Sequence, residues 1–351
     1  MILLNVDDAN GDDKSLTVLT WNVLQDIFID SRVYPSSGGI LEPSRRHSIF
    51  QQRLATIATD VIFLQELGRS VLDDTLAGPL ITYEHHFVPV GVEAQTFNGH
   101  TDEWGVCILW RPAVMLNVQK IDLGIRGCYG THPVACIHAD VLPWGEAAIF
   151  VCVHLDGEGC PPSVTRAQEQ VCEISAAVDA AARRLGITRI VWGGDFNQPR
   201  GTPALCDAAR VHGLHIVSGE QSLPTCHVPV SYSRIDHILA SGVRCSHTAI
   251  PAYPGGGGGV CLPRENPPCC LSWLRALDYL GITQPEYPHS RATRWLARLL
   301  AVPTAFLWLP LACVSVVCPM CVGYHQRRTR WALSEWGSDH LPVCCTLSLN
   351  P

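Results

Sequence analysis

The chain has 351 residues, a formal net charge of −7, 47% hydrophobic and 16% charged residues. That length and apolar fraction call for one large folded domain or two small ones and exclude an extended disordered chain. The acidic balance excludes a broad basic face of the kind that coats nucleic acid, while leaving room for a local basic groove.

The first residues, Met1 to Lys14, begin apolar and turn acidic at Asp7, Asp8, Asp12 and Asp13. They lack the basic n-region and long apolar run of a secretory signal, which points to an intracellular protein, cytoplasmic or nuclear. The 17 cysteines then read as reduced thiols. Many of them, such as Cys107, Cys136, Cys152, Cys344 and Cys345, sit inside apolar strand-like runs where a buried thiol is ordinary.

Ser15 to Asn22 alternates apolar and polar residues, as a half-buried strand does. Arg45 to Thr59 carries Ile49, Phe50, Leu54, Ile57 and Ala58 on one helical face. Val61 to Leu64 is a short buried strand ending in Gln65-Glu66. Tyr83 to Val90, Trp104 to Trp110, Val114 to Leu123, Pro133 to Val141 and Ala147 to His154 read as further strands between Gly, Pro and Asn clusters. A long helix is predicted over Ser163 to Leu185, where Val164, Ala167, Val171, Ile174, Val178, Ala181 and Leu185 recur by threes and fours. Ser163 is placed to cap its start and Gly186 its end. A strand over Ile187 to Trp192, a helix over Pro203 to His212 and a strand from Arg234 to Leu239 follow. Five glycines, Gly255 to Gly259, mark a linker, and Leu271 to Leu280 has the length of a short helix. Leu299 to Tyr324 is a run of 26 residues without a charge, with Arg291, Arg294 and Arg298 before it and Arg327, Arg328 and Arg330 after it. The last apolar strand is Leu341 to Leu347.

Val191 to Pro199 concentrates the chemistry. It reads as an apolar strand that breaks at Gly193-Gly194 and then presents Asp195 and Asn197. A glycine break at a strand end lets backbone approach a ligand closely; the same residues alone would also make a surface turn. Five other strand ends carry polar groups: Asn22, Glu66, His154, Asp236, and Asp339 with His340. Strand ends are rigid enough to hold catalytic groups. Carboxylates with water suit a hard divalent cation, and histidines and asparagines suit phosphate oxygens. No cysteine or serine is placed as a nucleophile, so water is the expected attacker.

Thr20-Trp21-Asn22, Leu64-Gln65-Glu66, Val153-His154-Leu155, Gly194-Asp195-Phe196-Asn197, Arg234-Ile235-Asp236-His237-Ile238 and Ser338-Asp339-His340 occur in that order along nearly the whole chain. Together they resemble the motifs of the endonuclease/exonuclease/phosphatase superfamily, the DNase I-like hydrolases. The resemblance implies an α+β fold, a four-layer α/β/β/α sandwich of two packed mixed sheets. It implies a single domain over 1–351, interrupted by an insert at about 251–331 that the family pattern does not match. It also implies a phosphoesterase using Mg2+, with Mn2+ as the alternative ion, that hydrolyses a phosphodiester or phosphomonoester by direct attack of an activated water. In that scheme Glu66 binds the ion with Asn22 and Asp339 beside it, and Asp195 orients or deprotonates the water. Asn197 and His154 hold phosphate oxygens. His340 stabilises charge building on phosphorus, and Asp236 fixes its tautomer and raises its pKa.

The motifs look equally like the deadenylase and nocturnin-type branch and the tyrosyl-DNA phosphodiesterase type 2 branch, which favours a nucleic acid or nucleotide substrate. The apolar segment 299–324 supports a different expectation. The segment is either a hydrophobic flap covering the sheet edge or a membrane contact; for the latter, a single crossing would separate Asp236 from His340, so a re-entrant or surface-dipping segment is the form compatible with one active site. A lipid head group would then be the substrate, as in a sphingomyelinase-type phospholipase C, with an inositol-phosphate phosphatase as a relative of that reading. A catalytically dead binding scaffold would be marked by loss of Glu66, Asp195 or His340, and all three are present. Oligomeric state is left open.

Overall fold

A computed structural model describes residues 14–29, 34, 38–57, 59–90, 103–125, 133–155, 163–198, 205, 213–217, 225–228, 231–233, 235–251 and 319–349. The expected helix at 203–212 (except Leu205), the linker with its glycines, the helix at 271–280 and the apolar segment up to residue 318 lie outside these residues.

One mixed sheet contains β1 (Ser15–Asn22), β2 (Val61–Gly68), β3 (Glu84–Pro89), β4 (Trp104–Trp110), β13 (Val243–Ala249) and β14 (Val343–Leu349), in the spatial order β13-β14-β1-β2-β4-β3. The other contains β5 (Met115–Lys120), β6 (Val134–Val141), β7 (Glu146–His154), β8 (Arg189–Asp195), β9 (His215–Ile216) and β12 (Asp236–Ser241), in the order β5-β6-β7-β8-β12-β9. A short hairpin pairs β10 (Cys226–Val228) with β11 (Ser231–Ser233). Each large sheet has one parallel pair, β1–β2 and β7–β8, and its other ladders are antiparallel. A parallel pair needs a crossover. It is supplied by α1 (Pro43–Thr56) in the first sheet and α3 (Ser163–Leu185) in the second.

The sheets pack face to face through a core that includes Val18, Phe63, Phe150, Cys152, Val191 and Ile238. Helices cover the outer faces. Phe50 and Leu54 of α1 join Trp21 on one side, and Val171, Ile174 and Val178 of α3 pack on Ile149, Val151 and Trp192 on the other. This is the expected four-layer arrangement. Strand alternation sets what faces the middle. The residues of β1 that face the other sheet are Leu16, Val18, Thr20 and Asn22. In β7 they end at His154, in β8 at Asp195, and β12 begins with inward Asp236. One period-2 pattern therefore delivers apolar residues to the core and polar residues to one common edge of it.

Three local features differ from expectation. Strand β8 does not break at its glycines but runs through them to Asp195. A Cβ on Gly193 would be driven into the Phe63 ring of the opposite sheet, and one on Gly194 into the Val153 carbonyl of β7. These glycines therefore let chain elements approach each other rather than a ligand. Strand β2 continues past Glu66 to Gly68 through a bulge between Leu64 and Leu67, with Glu66 at φ 55°. Helices α2 (Arg69–Ala77) and α4 (Pro319–Trp336) were not anticipated. Helix α4 takes up the last residues of the apolar segment and all three arginines after it, and Arg328 is buried rather than presented as a flanking charge. No helix among the described residues is long and apolar enough to cross a membrane.

Candidate active site

The site is assembled from the inward ends of both sheets. Asn22 closes β1, and its amide Nδ2 donates to Glu66 Oε1 at 2.8 Å and to Asp195 Oδ2 at 3.0 Å, joining the two sheets through one side chain. Its Oδ1 accepts from the Leu24 backbone N–H at 3.0 Å. Asn22 thus turns its nitrogen, not its oxygen, toward the carboxylates. Glu66 reaches this point because the bulge turns Gln65 and Glu66 inward in succession, a common use of bulges beside functional sites. Its second oxygen, Oε2, accepts from the Gln25 N–H at 3.1 Å.

From the second sheet, His154 and Asp195 are register partners on the parallel pair β7–β8. His154 Nε2 lies 3.6 Å from Glu66 Oε1 and 3.9 Å from Asp195 Oδ2. Asp195 is also the register partner of Asp236 on β12. Asp195 Oδ1 accepts from the Asn197 N–H at 2.8 Å, which closes a tight turn with Asn197 at φ 50°. The Asn197 amide donates to the Leu155 carbonyl at 2.8 Å, so one of its two N–H groups is committed to holding the turn.

The third contribution comes from the segment between α4 and β14. Gly337 ends α4 at φ 73°, directly against the backbone of Arg46 in α1. Ser338 Oγ then donates to the Asn22 carbonyl at 2.8 Å and accepts from the His340 N–H at 3.0 Å. His340 Nδ1 lies 2.9 Å from Asp236 Oδ2, its Nε2 is 3.8 Å from Asp195 Oδ2 and 4.0 Å from Asp339 Oδ1. The Asp236 contact puts the proton on Nδ1 and aims Nε2 at the space between Asp195 and Asp339. Asp339 Oδ2 accepts from the Tyr34 hydroxyl at 2.9 Å, whereas its Oδ1 is buried with no hydrogen-bond partner among the described residues.

The electrostatics follow from this crowding. Burial raises the Asp195 carboxyl and the neighbouring Asp236 raises it further; His340, His154 and the Asn22 amide pull it back only in part. Burial raises Asp339 against the pull of His340. Burial alone would lower the His340 imidazolium, but Cys226, Asp236 and Asp195 around it carry it well above the ordinary histidine range. The Cys226 thiol, pushed up to about 12 by burial, is neutral near pH 7, so the two carboxylates carry that charge stabilisation. Burial and the facing Asp339 push the Tyr34 phenol far up, which keeps it a neutral donor. A carboxylate raised like Asp195 is a stronger base once ionised, and a histidine held as imidazolium is a donor toward developing negative charge.

The structure therefore brings Asn22, Glu66, His154, Asp195, Asp236, Asp339 and His340 together, with Asn197 adjoining through the turn after β8. The other histidines singled out by the sequence stand elsewhere where they are described. His237 is buried beneath Phe196 with Nε2 3.0 Å from the Gln198 carbonyl, and His85 and His86 lie on β3 at the sheet edge. The side chain of His227 lies outside the described residues.

Several supporting residues were not foreseen. Arg46 donates to the carbonyls of Val23, Leu24 and Gly337 and pairs with Asp26 at 2.7 Å, pinning the loop after Asn22 to the loop before Asp339. Its signal was the spacing Arg46, Phe50, Leu54, which puts a charge on the buried stripe of α1. Thr225 Oγ1 accepts from the Ile235 and Asp236 N–H groups at 3.2 Å each. Trp21 Nε1–H donates to the His340 carbonyl at 3.1 Å. Tyr34, Thr225 and Gln25 carry no local pattern that marks them.

A family model described as the Endonuclease/Exonuclease/phosphatase family matches residues 19–340. Among curated proteins, the RNA exonuclease NGL2 of Saccharomyces cerevisiae is 26% identical over 104 residues, 30% of this chain and 19% of that protein. The match thus spans about a fifth of that relative's length. Among solved structures, the human nocturnin catalytic domain with bound sulfate superposes with a TM-score of 0.57 at 14% identity, covering 96% of this chain and 94% of that one. ANGEL2, a 2′,3′-cyclic phosphatase in complex with adenosine-2′,3′-vanadate, gives 0.58 at 13% identity over 95% and 96%. D. rerio TDP2 complexed with a single-strand DNA product gives 0.53 at 14% identity over 95% and 99%. At these identities the superpositions speak for the fold.

Proposed function

The chain belongs to the endonuclease/exonuclease/phosphatase family, and from that premise we propose that it is a divalent-metal-dependent phosphoesterase that hydrolyses a nucleic acid or nucleotide substrate. The observation that carries the reading is the sequence of groups Asp236, His340, Asp195 at 2.9 and 3.8 Å, closed on the other side by the Asn22 bridge to Glu66. It couples one buried base, one charged donor and one carboxylate of the facing sheet around a single point.

Asp195, raised and ionised, takes the proton of a water lined up for attack on phosphorus. Its orientation is held by the Asn22 amide and by the Asn197 N–H. His340, kept as an imidazolium by Asp236, donates from Nε2 to the phosphate oxygens as negative charge builds. His154 and the second Asn197 N–H hold further phosphate oxygens. Glu66 and Asp339 would hold the ion, with Asn22 orienting Glu66. The fit is supported by the donor set, which is hard oxygen, and by the unpartnered Asp339 Oδ1, a buried acceptor aimed at that space. These donors suit Mg2+, and Mn2+ as well. A divalent ion bound there supplies charge neutralisation at the phosphate and the leaving oxygen.

The preference for a nucleic acid or nucleotide draws on relatives named for RNA, single-strand DNA and an adenosine 2′,3′-phosphate mimic. The test is hydrolysis with Mg2+ against poly(A), 5′-tyrosyl single-strand DNA, nucleoside 2′,3′-cyclic phosphates, NADP-like nucleotides, inositol phosphates and sphingomyelin. Turnover of a nucleotide-containing substrate, abolished by EDTA, is the expected outcome. Turnover confined to sphingomyelin or inositol phosphates would overturn the substrate class. Turnover insensitive to EDTA would overturn the metal.

A further inference from the structure

Cys226 is buried at the centre of the site and has no part in the hydrolytic scheme. Its position is set by backbone. It forms an isolated antiparallel bridge with His340, and next to it the Leu341 N–H donates to the Thr225 carbonyl at 2.7 Å. Main-chain pairing therefore sets the Cys226 backbone directly opposite His340.

One ligand atom each from Cys226, Asp339 and His340 lie within 4.8 Å of one another, and all three residues are buried. Among the described residues Asp339 Oδ1 has no hydrogen-bond partner. Asp236 occupies His340 Nδ1, which leaves Nε2 facing Asp339 Oδ1 at 4.0 Å and Asp195 Oδ2 at 3.8 Å. A carboxylate on the far nitrogen of a ligating histidine is the usual support of a zinc–imidazole bond.

We propose that Cys226, Asp339 and His340 form a binding site for a thiophilic divalent cation of the zinc class, and that filling it shuts the hydrolytic site. Zinc binds thiolate, imidazole and carboxylate donors, and its open sites carry three protein ligands with the fourth position free. Mg2+ takes oxygen and leaves thiols alone, so the sulfur distinguishes the two ions. On binding, the Cys226 S–H and His340 Nε2–H bonds break, Sγ–metal and Nε2–metal bonds form and two protons leave to solvent; no electron is transferred. The ion would claim His340 Nε2 and Asp339 Oδ1 together, removing the charged donor and one carboxylate of the Mg2+ set. The inhibitory part rests on the proposed hydrolysis; the binding part does not.

The experiment uses the full chain without substrate, titrated with Cd2+ as an optical probe of thiolate ligation. Wild type minus Cys226→Ser should show one equivalent of Cd–thiolate charge-transfer absorbance, displaced by Zn2+. Identical titrations of the two proteins would overturn the site. If Cys226→Ser does not fold, cadmium NMR of the wild-type protein decides. A shift for mixed sulfur, nitrogen and oxygen ligation supports the site, and only all-oxygen or all-sulfur signals refute it. In the activity arm, Zn2+ should inhibit Mg2+-supported turnover. Cys226→Ser should keep basal turnover and weaken that inhibition by at least about 10-fold, the lower end of the loss seen when a metal site is weakened. Equal Zn2+ sensitivity would overturn the inhibitory role. A protein that binds Cd2+ through Cys226 yet hydrolyses nothing would refute the phosphoesterase reading and leave the cation site standing.

Discussion

The two sheets share a plan and differ where it matters. Each centres on a parallel pair joined by one helix, β1–α1–β2 and β7–α3–β8, and each pair ends in two polar residues at the common edge. In the first half these are Asn22 and Glu66, and Glu66 accepts from the Asn22 amide and the Gln25 N–H, with His154 of the facing sheet 3.6 Å away. In the second half they are His154 and Asp195, and Asp195 faces two histidines and a second carboxylate within the same core. A carboxylate crowded by titratable groups is tuned for protons. The same supersecondary unit, used twice, thus yields two different electrostatic environments, and the bulge at Glu66 against the straight run at Asp195 is the structural root of the difference.

The largest expected effect breaks the second half. Asp195→Asn keeps the shape and removes the base, and should lower kcat by at least about 10²-fold, the scale of losing a general base. Because Asp195 is assigned to the proton and not to the ion, the Mg2+ concentration giving half-maximal rate should stay unchanged. Steady-state kinetics over a Mg2+ series reads both. A large shift in Mg2+ demand in this variant would erase the distinction between the halves.

Glu66→Gln is the reciprocal change. It retains the hydrogen bonds' geometry but removes the charge that holds the cation. Half-saturation by Mg2+ should rise by about 10-fold or more, and rate should recover toward wild type as Mg2+ is raised. A loss of kcat that no Mg2+ concentration restores would instead put Glu66 in the chemical step.

How much of this was legible in the sequence depended on range. Alternation marked Ser15–Asn22 as a strand and an apolar run marked Ala147–His154, and the polar residues that end them stood out as strand-end groups. The four-layer arrangement followed from strands and two amphipathic helices together with the family motifs. The glycines of Gly193-Gly194 misled because their reason is distant: Phe63 of the other sheet and Val153 of the next strand occupy the space a Cβ would need. The bulge at Glu66 is a single-residue register shift that no periodicity reports. Helix α4 was obscured because Pro319, a good first-turn residue, lies inside a longer uncharged run, and because no local pattern marks Arg328 as buried. Tyr34 and Thr225 act through contacts made across 305 and 11 positions of the chain, and neither has a neighbour pattern that marks it.

The smallest effect tests the same comparison on the outer faces. Each parallel pair carries one tryptophan there, Trp21 on β1 and Trp192 on β8. Trp21 packs against Phe50 at 5.0 Å and Trp336 at 5.9 Å, and its Nε1–H donates to the His340 carbonyl. Trp192 packs against Phe196 at 5.7 Å, but its Nε1–H is buried without a partner among the described residues. Replacing either by Phe removes similar apolar area and one N–H. In Trp21→Phe that N–H was bonded, and its acceptor is the backbone that sets His340, so stability should fall by about 0.5–1.5 kcal/mol beyond the packing loss. Turnover should fall with it as His340 loosens. In Trp192→Phe the lost N–H was an unpaid desolvation cost, so relief of that cost offsets part of the packing loss and turnover should be unchanged. Urea denaturation of the two variants side by side measures the difference, and equal destabilisation would mean that the Trp21 hydrogen bond contributes nothing to holding His340.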